Sequence, residues 1–118
     1  MDLKELFRHE TDLKALAAGQ TLFKEGDPGD WMYVLMSGTA VISVNGKVVE
    51  FAEEGAIVGE MGMIDEGTRS ATVMAKSDCK FVPVDRKRFN YLVLHTPEFA
   101  QHVMRVIADR LRRTDARL

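Results

Sequence analysis

One short stretch of the sequence, residues 58–73, holds residue types at spacings that suit the binding of a small anion. The apolar residues before it predict a strand that ends at Val58, after which Gly59 permits a tight backbone path. Residues 60–64 then predict a helical turn. Free N–H groups at the start of such a turn attract anions, and Gly62 lets a ligand approach the backbone closely. The stretch therefore predicts an anion site.

Arg69 and Ser70 lie at the other end of the same stretch. Arg69 can return opposite the turn, while Ser70 supplies a hydroxyl and a backbone N–H. Together these groups would hold one phosphate by charge-assisted hydrogen bonds.

The surrounding charges indicate which kind of phosphate the stretch suits. Between residues 48 and 68 there are six acids and no Lys or Arg. The acids are Glu50, Glu53, Glu54, Glu60, Asp65 and Glu66. Like charges a few ångströms apart repel by on the order of 1–4 kcal/mol, so a triphosphate is disfavoured. A cyclic phosphodiester carries one negative charge, which Arg69 alone can match, and a ribose hydroxyl could donate to Glu60.

The rest of the chain must position these groups, and its patterns predict mostly strands. Residues 2–18 show apolar spacing typical of a helix, with Gly19 as its end. From residue 20 to residue 85 short apolar runs alternate with turn signals every 8–12 residues, which predicts a small antiparallel sandwich or barrel. Asn45-Gly46 between two β-rich runs is a strong signal for a hairpin turn.

Helical periodicity returns after residue 85. A short helix around Phe89 should end near Thr96, and Pro97 can open a last helix. The apolar arc of that last helix is wider than packing on the barrel requires. The last helix is also rich in arginine. The simplest interpretation of these arginines is a solvated face with local ion pairs, although Arg110 or Arg113 could cap a base by stacking.

The stretch resembles the phosphate-binding cassette of cyclic nucleotide-binding domains, found in catabolite-activator-type regulators, kinase regulatory subunits and nucleotide-gated channels. The family pattern is roughly Phe-Gly-Glu-aliphatic-Ala-Leu-aliphatic, a short spacer, and Pro-Arg-Ala/Ser/Thr-Ala. The chain matches it at Gly59, Glu60, Met61, Ile64, Arg69, Ser70 and Ala71. Residues 23–30, Tyr33, Gly38 and the terminal helices extend the resemblance over nearly the whole chain.

The resemblance implies a role for each matched residue. Arg69 would pair with the cyclic phosphate, and Glu60 would accept from the ribose 2′-hydroxyl. Three residues would line the phosphate: Gly59, Gly62 and Ser70. Apolar parts of the ligand would meet Val58, Met61, Val73 and also Val49, with Ala71 completing the motif. Thr114 matches the place where the last helix of some members reaches the purine.

The resemblance also implies the architecture. We expect one domain over residues 1–118, an antiparallel β-roll flanked by an N-terminal helix and two C-terminal helices, without an attached DNA-binding or channel domain. Its parts would be a helical segment over 1–19, the β-roll over 20–85 with the cassette at 58–71, and the C-terminal helices over 86–118.

Three positions depart from the family pattern. Val58 replaces Phe, Gly62 replaces Ala, and Thr68 replaces Pro. Loss of the proline is expected to loosen the loop before Arg69 and lower affinity. Ser70 is compatible with either purine, so cAMP and cGMP both remain open as ligands.

Two other functional classes stay in view. One is a degenerate domain that keeps the fold for protein interaction or dimerisation without a ligand. The other is a cupin-type metal enzyme, which is disfavoured because the three histidines fall in predicted helices or at their ends. These are His9, His95 and His102. We expect no catalytic residue, metal or cofactor beyond the nucleotide itself.

Composition sets the cellular expectations. The net charge of −2 gives no reason to expect nucleic acid or membrane binding by the chain itself. Cys79 is the single cysteine, predicted as a small buried hydrophobe, and a cytoplasmic setting follows most simply. Neither a signal peptide nor a membrane span is recognisable. The signal would pass to a partner protein or through a homodimer formed by the last helix.

Overall fold

The computed structural model describes residues 1–65 and 67–117, except for the side chains of residues 114–117. Its elements are α1 (Leu3–Leu6), β1 (Lys14–Leu16), β2 (Thr21–Phe23), β3 (Met32–Ser37), β4 (Ala40–Val44), β5 (Lys47–Ala52), β6 (Ile57–Val58), α2 (Met61–Ile64), β7 (Thr72–Ala75), β8 (Cys79–Val84), α3 (Arg86–His95) and α4 (Pro97–Arg117). The strands form two antiparallel four-stranded sheets, ordered β1-β8-β3-β6 and β2-β7-β4-β5. The predicted antiparallel roll with flanking helices is confirmed.

The predicted N-terminal helix over residues 2–18 was wrong in extent, because only one turn is helical. Asp2 caps this turn by accepting hydrogen bonds from the next backbone N–H groups, and Leu3 and Phe7 fill the core. Residues 14–16 instead form β1, which pairs with the edge of β8. The strand hydrogen bonds that complete this sheet outweigh the helical spacing of a segment whose Leu13 is exposed.

The hairpin predicted at Asn45-Gly46 is confirmed. Asn45 has φ 52° and Gly46 has φ 78°, so both central residues lie in the left-handed region that a type I′ turn requires. The N–H of Asn45 also donates to Glu25 Oε1 at 2.9 Å. The turn therefore fixes β4 against β5, which carries Glu50.

Two buried clusters lie on opposite faces of the first sheet. On β8, Phe81 points between the two sheets, while Val82 points towards the helices. This alternation follows from the two-residue period of a strand. Phe99 and Val103 bring α4 into the cluster on the helical side. Truncation of Phe81 or Phe99 to alanine is expected to cost about 3–5 kcal/mol, because both are fully buried.

The two C-terminal helices begin and end at recognisable signals. Asp85 caps α3 by accepting from the N–H of Arg88 at 2.8 Å. Thr96 precedes a proline and leaves the helical region, so α3 ends and Pro97 opens α4. Within the described residues, no helix has the length and hydropathy that crossing a membrane needs.

Cys79 is 2% exposed, at the start of β8. Its Sγ lies 3.3 Å from the carbonyl oxygen of Thr39, and burial raises the pKa of the thiol. The prediction of a buried, hydrophobe-like cysteine is confirmed.

Candidate ligand-binding site

A cavity of about 330 Å³ opens between the second sheet, the turn after β6 and the C-terminal half of α4. This volume lies within the range of small-molecule sites. Its apolar and glycine lining consists of Phe23, Gly29, Ile42, Val44, Val49, Val58, Gly59, Met61, Gly62, Ala71 and Val73. Its polar lining consists of Glu50, Glu60, Thr68, Arg69, Ser70, Arg110 and Arg113.

The turn after β6 has the predicted shape. Gly59 has φ +75°, and a Cβ atom there would lie 2.7 Å from Arg69 Nη1 and 3.0 Å from the Trp31 carbonyl oxygen. Glycine is therefore required both for the backbone and for the space. The next residue, Glu60, is the N-cap of α2 and makes no side-chain cap hydrogen bond, so its carboxylate is available to other groups.

Arg69 lies in this cavity as a buried cation, 8% exposed. Its Nε has no hydrogen-bond partner among the described residues, and Nη1 makes only a long contact of 3.4 Å with the Gly59 carbonyl oxygen. The guanidinium rests on the ring of Phe23, with 4.1 Å between Cζ and the ring centroid. Burial lowers the pKa of Arg69, because the charged form loses solvent. An anion would supply the missing partner.

The backbone around Arg69 is held although Thr68 stands where the family pattern has proline. The N–H of Arg69 donates to the backbone carbonyl of Asp27 at 2.7 Å, and the N–H of Gly26 donates to the Arg69 carbonyl at 2.9 Å. Pro28 and Thr68 form an isolated antiparallel bridge. These contacts orient the loop without the proline.

Gly29 has a role that its sequence context does not reveal. In the sequence it reads as a turn former, but a Cβ atom there would lie 2.1 Å from Arg69 Nε. A Cβ atom on Gly62 would lie 2.8 Å from the Gly29 carbonyl oxygen. The two glycines therefore make room for the guanidinium and for each other, which only the folded chain brings about.

Arg110 connects α4 to the site. Its Nη1 lies 2.7 Å from Oε1 of Glu60, a residue that is only 5% exposed. Nε and Nη2 donate to the two carboxylate oxygens of Glu50 at 3.0 and 3.1 Å, and Nη2 also donates to the Ile57 carbonyl at 2.7 Å. Burial alone would lower the pKa of Arg110, but Glu50 and Glu60 together raise it.

The interpretation of the basic residues on α4 as a solvated face with local ion pairs was therefore wrong for Arg110, although it fits the Arg112–Asp109 pair at 2.9 Å. The signal in the sequence was the position of Arg110 on the side of the helix that also carries Val103 and Ile107. A charge on an apolar stripe needs a buried partner. Sequence spacing did not identify Glu50 as that partner.

The cavity carries a small excess of positive charge. Three arginines and two glutamates line it, so these side chains leave one net positive charge. Within residues 1–65 and 67–117, no group of three or more His, Cys, Asp or Glu side chains is arranged to hold a metal ion.

The structure brings together nine of the ten predicted site residues. Those that line the cavity are Val58, Gly59, Glu60, Met61, Gly62, Arg69, Ser70, Ala71 and Val73. The tenth, Thr114, belongs to α4, but its side chain lies outside the described residues. Sequence reasoning did not assign Phe23, Gly29, Ile42, Val44 and Glu50 to the site.

Comparison with known proteins finds matches over most of the chain. Residues 13–96 match the family model of the cyclic nucleotide-binding domain. Over 105 residues the chain is 30% identical to the CRP-like cAMP-activated global transcriptional regulator of Mycobacterium tuberculosis. The aligned region covers 85% of this chain and 47% of that protein.

Two solved structures have a similar fold. The catabolite activator protein of Thermus thermophilus aligns with a TM-score of 0.80 and 27% identity, over 90% of this chain and 52% of that one. The cAMP-bound structure PfPKA-R (141–441) aligns with a TM-score of 0.77 and 30% identity, over 89% of this chain and 36% of that one. The chain thus spans about half or less of the length of these relatives.

Proposed function

The chain belongs to the cyclic nucleotide-binding domain family, and we propose that it binds a cyclic nucleotide monophosphate, cAMP or cGMP, as a regulatory sensor module. In this proposal it has no catalytic residue, and the nucleotide is a ligand rather than a cofactor. Its relatives include cAMP-activated regulators.

The buried Arg69 is the observation that carries the proposal. A cation kept from water costs free energy unless an opposite charge or hydrogen bonds offset the loss of hydration. In the described residues Nε has no such bond, and no carboxylate forms an ion pair with the guanidinium within 4.0 Å. A cyclic phosphate would provide the charge-assisted bonds that are missing.

Charge and polarity elsewhere in the cavity suit the rest of such a ligand. One net positive charge on the lining matches one phosphodiester. Glu60, oriented by Arg110, would accept a hydrogen bond from the ribose 2′-hydroxyl. The apolar side chains of Val44 and Val49 offer a wall for the base.

Helix α4 would transmit the binding event. Its C-terminal half already contacts the site through Arg110 and Arg113, so a ligand that favours a closer position of the helix would shift the helix towards it. The same helix exposes Met104 at 59% and Leu111 at 61%. We include in the proposal that this strip pairs two copies of the chain or meets a partner protein, and that the setting is cytoplasmic.

Calorimetric titration of cAMP and of cGMP into the wild type and into Arg69→Ala tests the proposal. Loss of a charge-assisted phosphate contact should weaken binding by about 1.5–3 kcal/mol, or about 10- to 150-fold. Arg112→Ala is the matched control, since it removes one positive charge outside the cavity. Equal binding by wild type and Arg69→Ala would contradict the proposed phosphate site.

The alternative is a domain that keeps this fold for protein interaction without a ligand. The observation in its favour is that Arg110 pairs with Glu60, so this buried carboxylate has a partner within the protein itself. A folded wild-type protein that binds neither nucleotide but is dimeric by light scattering would support this alternative. A dimer lost on Met104→Glu would place its interface on α4.

A further inference from the structure

The polar side chains of the cavity form a chain of contacts with a definite order. Arg69 touches the backbone of Gly59, the next residue Glu60 binds Arg110, Arg110 binds Glu50, and Arg113 lies 3.4 Å from Glu50. If the proposed function is right, the phosphate lies at Arg69 and the ribose at Glu60. The base of the same ligand then extends towards Glu50 and Arg113.

At the end of the cavity near Glu50, the groups of Arg110 and Glu50 already form hydrogen bonds with each other and with their neighbours. Arg110 donates to both oxygens of Glu50, to Glu60 and to the Ile57 carbonyl. Both carboxylate oxygens of Glu50 therefore already accept a hydrogen bond from the helix. Arg113 differs, because its side chain is 49% exposed and its contacts are long. Its Nε donates to the Asp109 carbonyl at 3.3 Å, and its Nη1 approaches Glu50 Oε1 at 3.4 Å.

A guanidinium only donates hydrogen bonds, and this distinguishes the two purines. Guanine presents two adjacent acceptors, O6 and N7, which arginine can bind bidentately. Adenine presents N7 beside an amino group, which is a donor and cannot accept from arginine. We propose that Arg113 is a specificity-determining residue that reads the base and makes this site prefer cGMP to cAMP.

Titrations with cGMP, cyclic IMP and cAMP distinguish a failure of this inference from a failure of the proposed function. Cyclic IMP keeps O6 and N7 but lacks the 2-amino group of guanine, so it tests whether O6 and N7 suffice. In calorimetric titrations of the wild type, cGMP and cyclic IMP should bind with similar affinity. Both should bind about 5- to 150-fold more tightly than cAMP, the discrimination expected from one bidentate contact.

Arg113→Met keeps an unbranched side chain but removes the donors. In this variant the preference for cGMP and cyclic IMP over cAMP should fall to nearly one, while the loss of one cavity charge should weaken binding of all three nucleotides by a similar factor. Arg112→Met is the matched control on the neighbouring position, where the side chain is 75% exposed and does not line the cavity. It should leave the preference unchanged, and circular dichroism should show both variants folded.

Each alternative result has one meaning. Equal binding of cAMP and cGMP by the wild type, or a preference that survives Arg113→Met, overturns the role of Arg113 and leaves the proposed function intact. Tight cGMP binding with weak binding of cyclic IMP assigns the preference to the 2-amino group and also overturns it. Failure of all three nucleotides to bind folded wild type overturns the proposed function and this inference together.

Discussion

Nη1 of Arg110 lies 2.7 Å from Oε1 of Glu60, which joins the last helix directly to the turn after β6. Glu50 binds the other side of the same guanidinium with both carboxylate oxygens. A hydroxyl that binds Glu60 therefore meets a carboxylate that is already coupled to α4. In the proposed function, a ligand whose affinity differs between two positions of α4 would shift the helix, and the helix position would change the ligand affinity by the same factor.

Arg110→Met should destabilise the ligand-free protein by about 3 kcal/mol, because two shielded carboxylates lose their shared cation. Arg112→Met is the control, since its partner Asp109 is 62% exposed and such pairs contribute less than about 1 kcal/mol. Urea unfolding of the three proteins measures both changes. Similar losses in the two variants would show that the Arg110 contacts do not stabilise the fold.

Arg69→Met should leave the free energy of unfolding of the ligand-free protein within about 1 kcal/mol of the wild type, or raise it. The reason is that the substitution removes a buried cation whose Nε lacks a partner in the described structure, and replaces it with a side chain that can still pack on Phe23. Urea unfolding without nucleotide gives the answer. A loss above about 2 kcal/mol would make Arg69 a structural residue.

Gly29→Ala should weaken nucleotide binding about tenfold or more while the protein stays folded. The new methyl group would occupy the place of Arg69 Nε, and the flexible arginine would have to move away from the cavity. Gly67→Ala is the matched control, because the nearest described atom to a Cβ there, outside its two chain neighbours, is Asp65 Oδ1 at 3.7 Å. If both variants bind equally well, the position of the guanidinium does not matter for binding.

Glu60→Gln should weaken binding of cAMP or cGMP but not of the corresponding 2′-deoxy cyclic nucleotide. The double-mutant cycle formed by the two proteins and the two ligands isolates the contact between the carboxylate and the hydroxyl. Its coupling energy should be about 1.5–3 kcal/mol, as for other hydrogen bonds to charged groups. A coupling near zero in calorimetric titrations would remove Glu60 from the ribose site.

His102, half-buried on α4, should make stability fall with acid. Burial lowers the pKa of His102, and the positive charges of the Met1 amino group and Arg105 act in the same direction. The unfolded chain takes up the proton near pH 6.5, above the folded value, so stability is complete above that pH and declines as the pH falls below it. Thermal unfolding between about pH 7.5 and pH 5 should show a shallower decline for His102→Gln. Parallel declines would assign the acid sensitivity to other groups.

The parts of the fold that sequence predicts well are those determined by neighbouring residues. Asn45-Gly46 specifies its turn because both residues tolerate positive φ. The short stretch from Gly59 to Arg69 contains Glu60, Thr68 and Arg69, three of the seven polar residues that line the cavity. The N-terminal segment failed because β1 depends on hydrogen bonds to β8, at the far end of the strand region. Glu50 and Gly29 were missed for the same reason, since their partners Arg110 and Arg69 are distant in the sequence.

The shielded thiol of Cys79 has a practical consequence. It is the single cysteine of the chain, 2% exposed, and burial raises its pKa, so little reactive thiolate is present near neutral pH. A cysteine introduced by Arg112→Cys on the outer side of α4 would be the accessible thiol for a maleimide fluorophore. Labelling could therefore proceed on the natural background, and the dye would report in real time on whether the helix moves when a nucleotide is added.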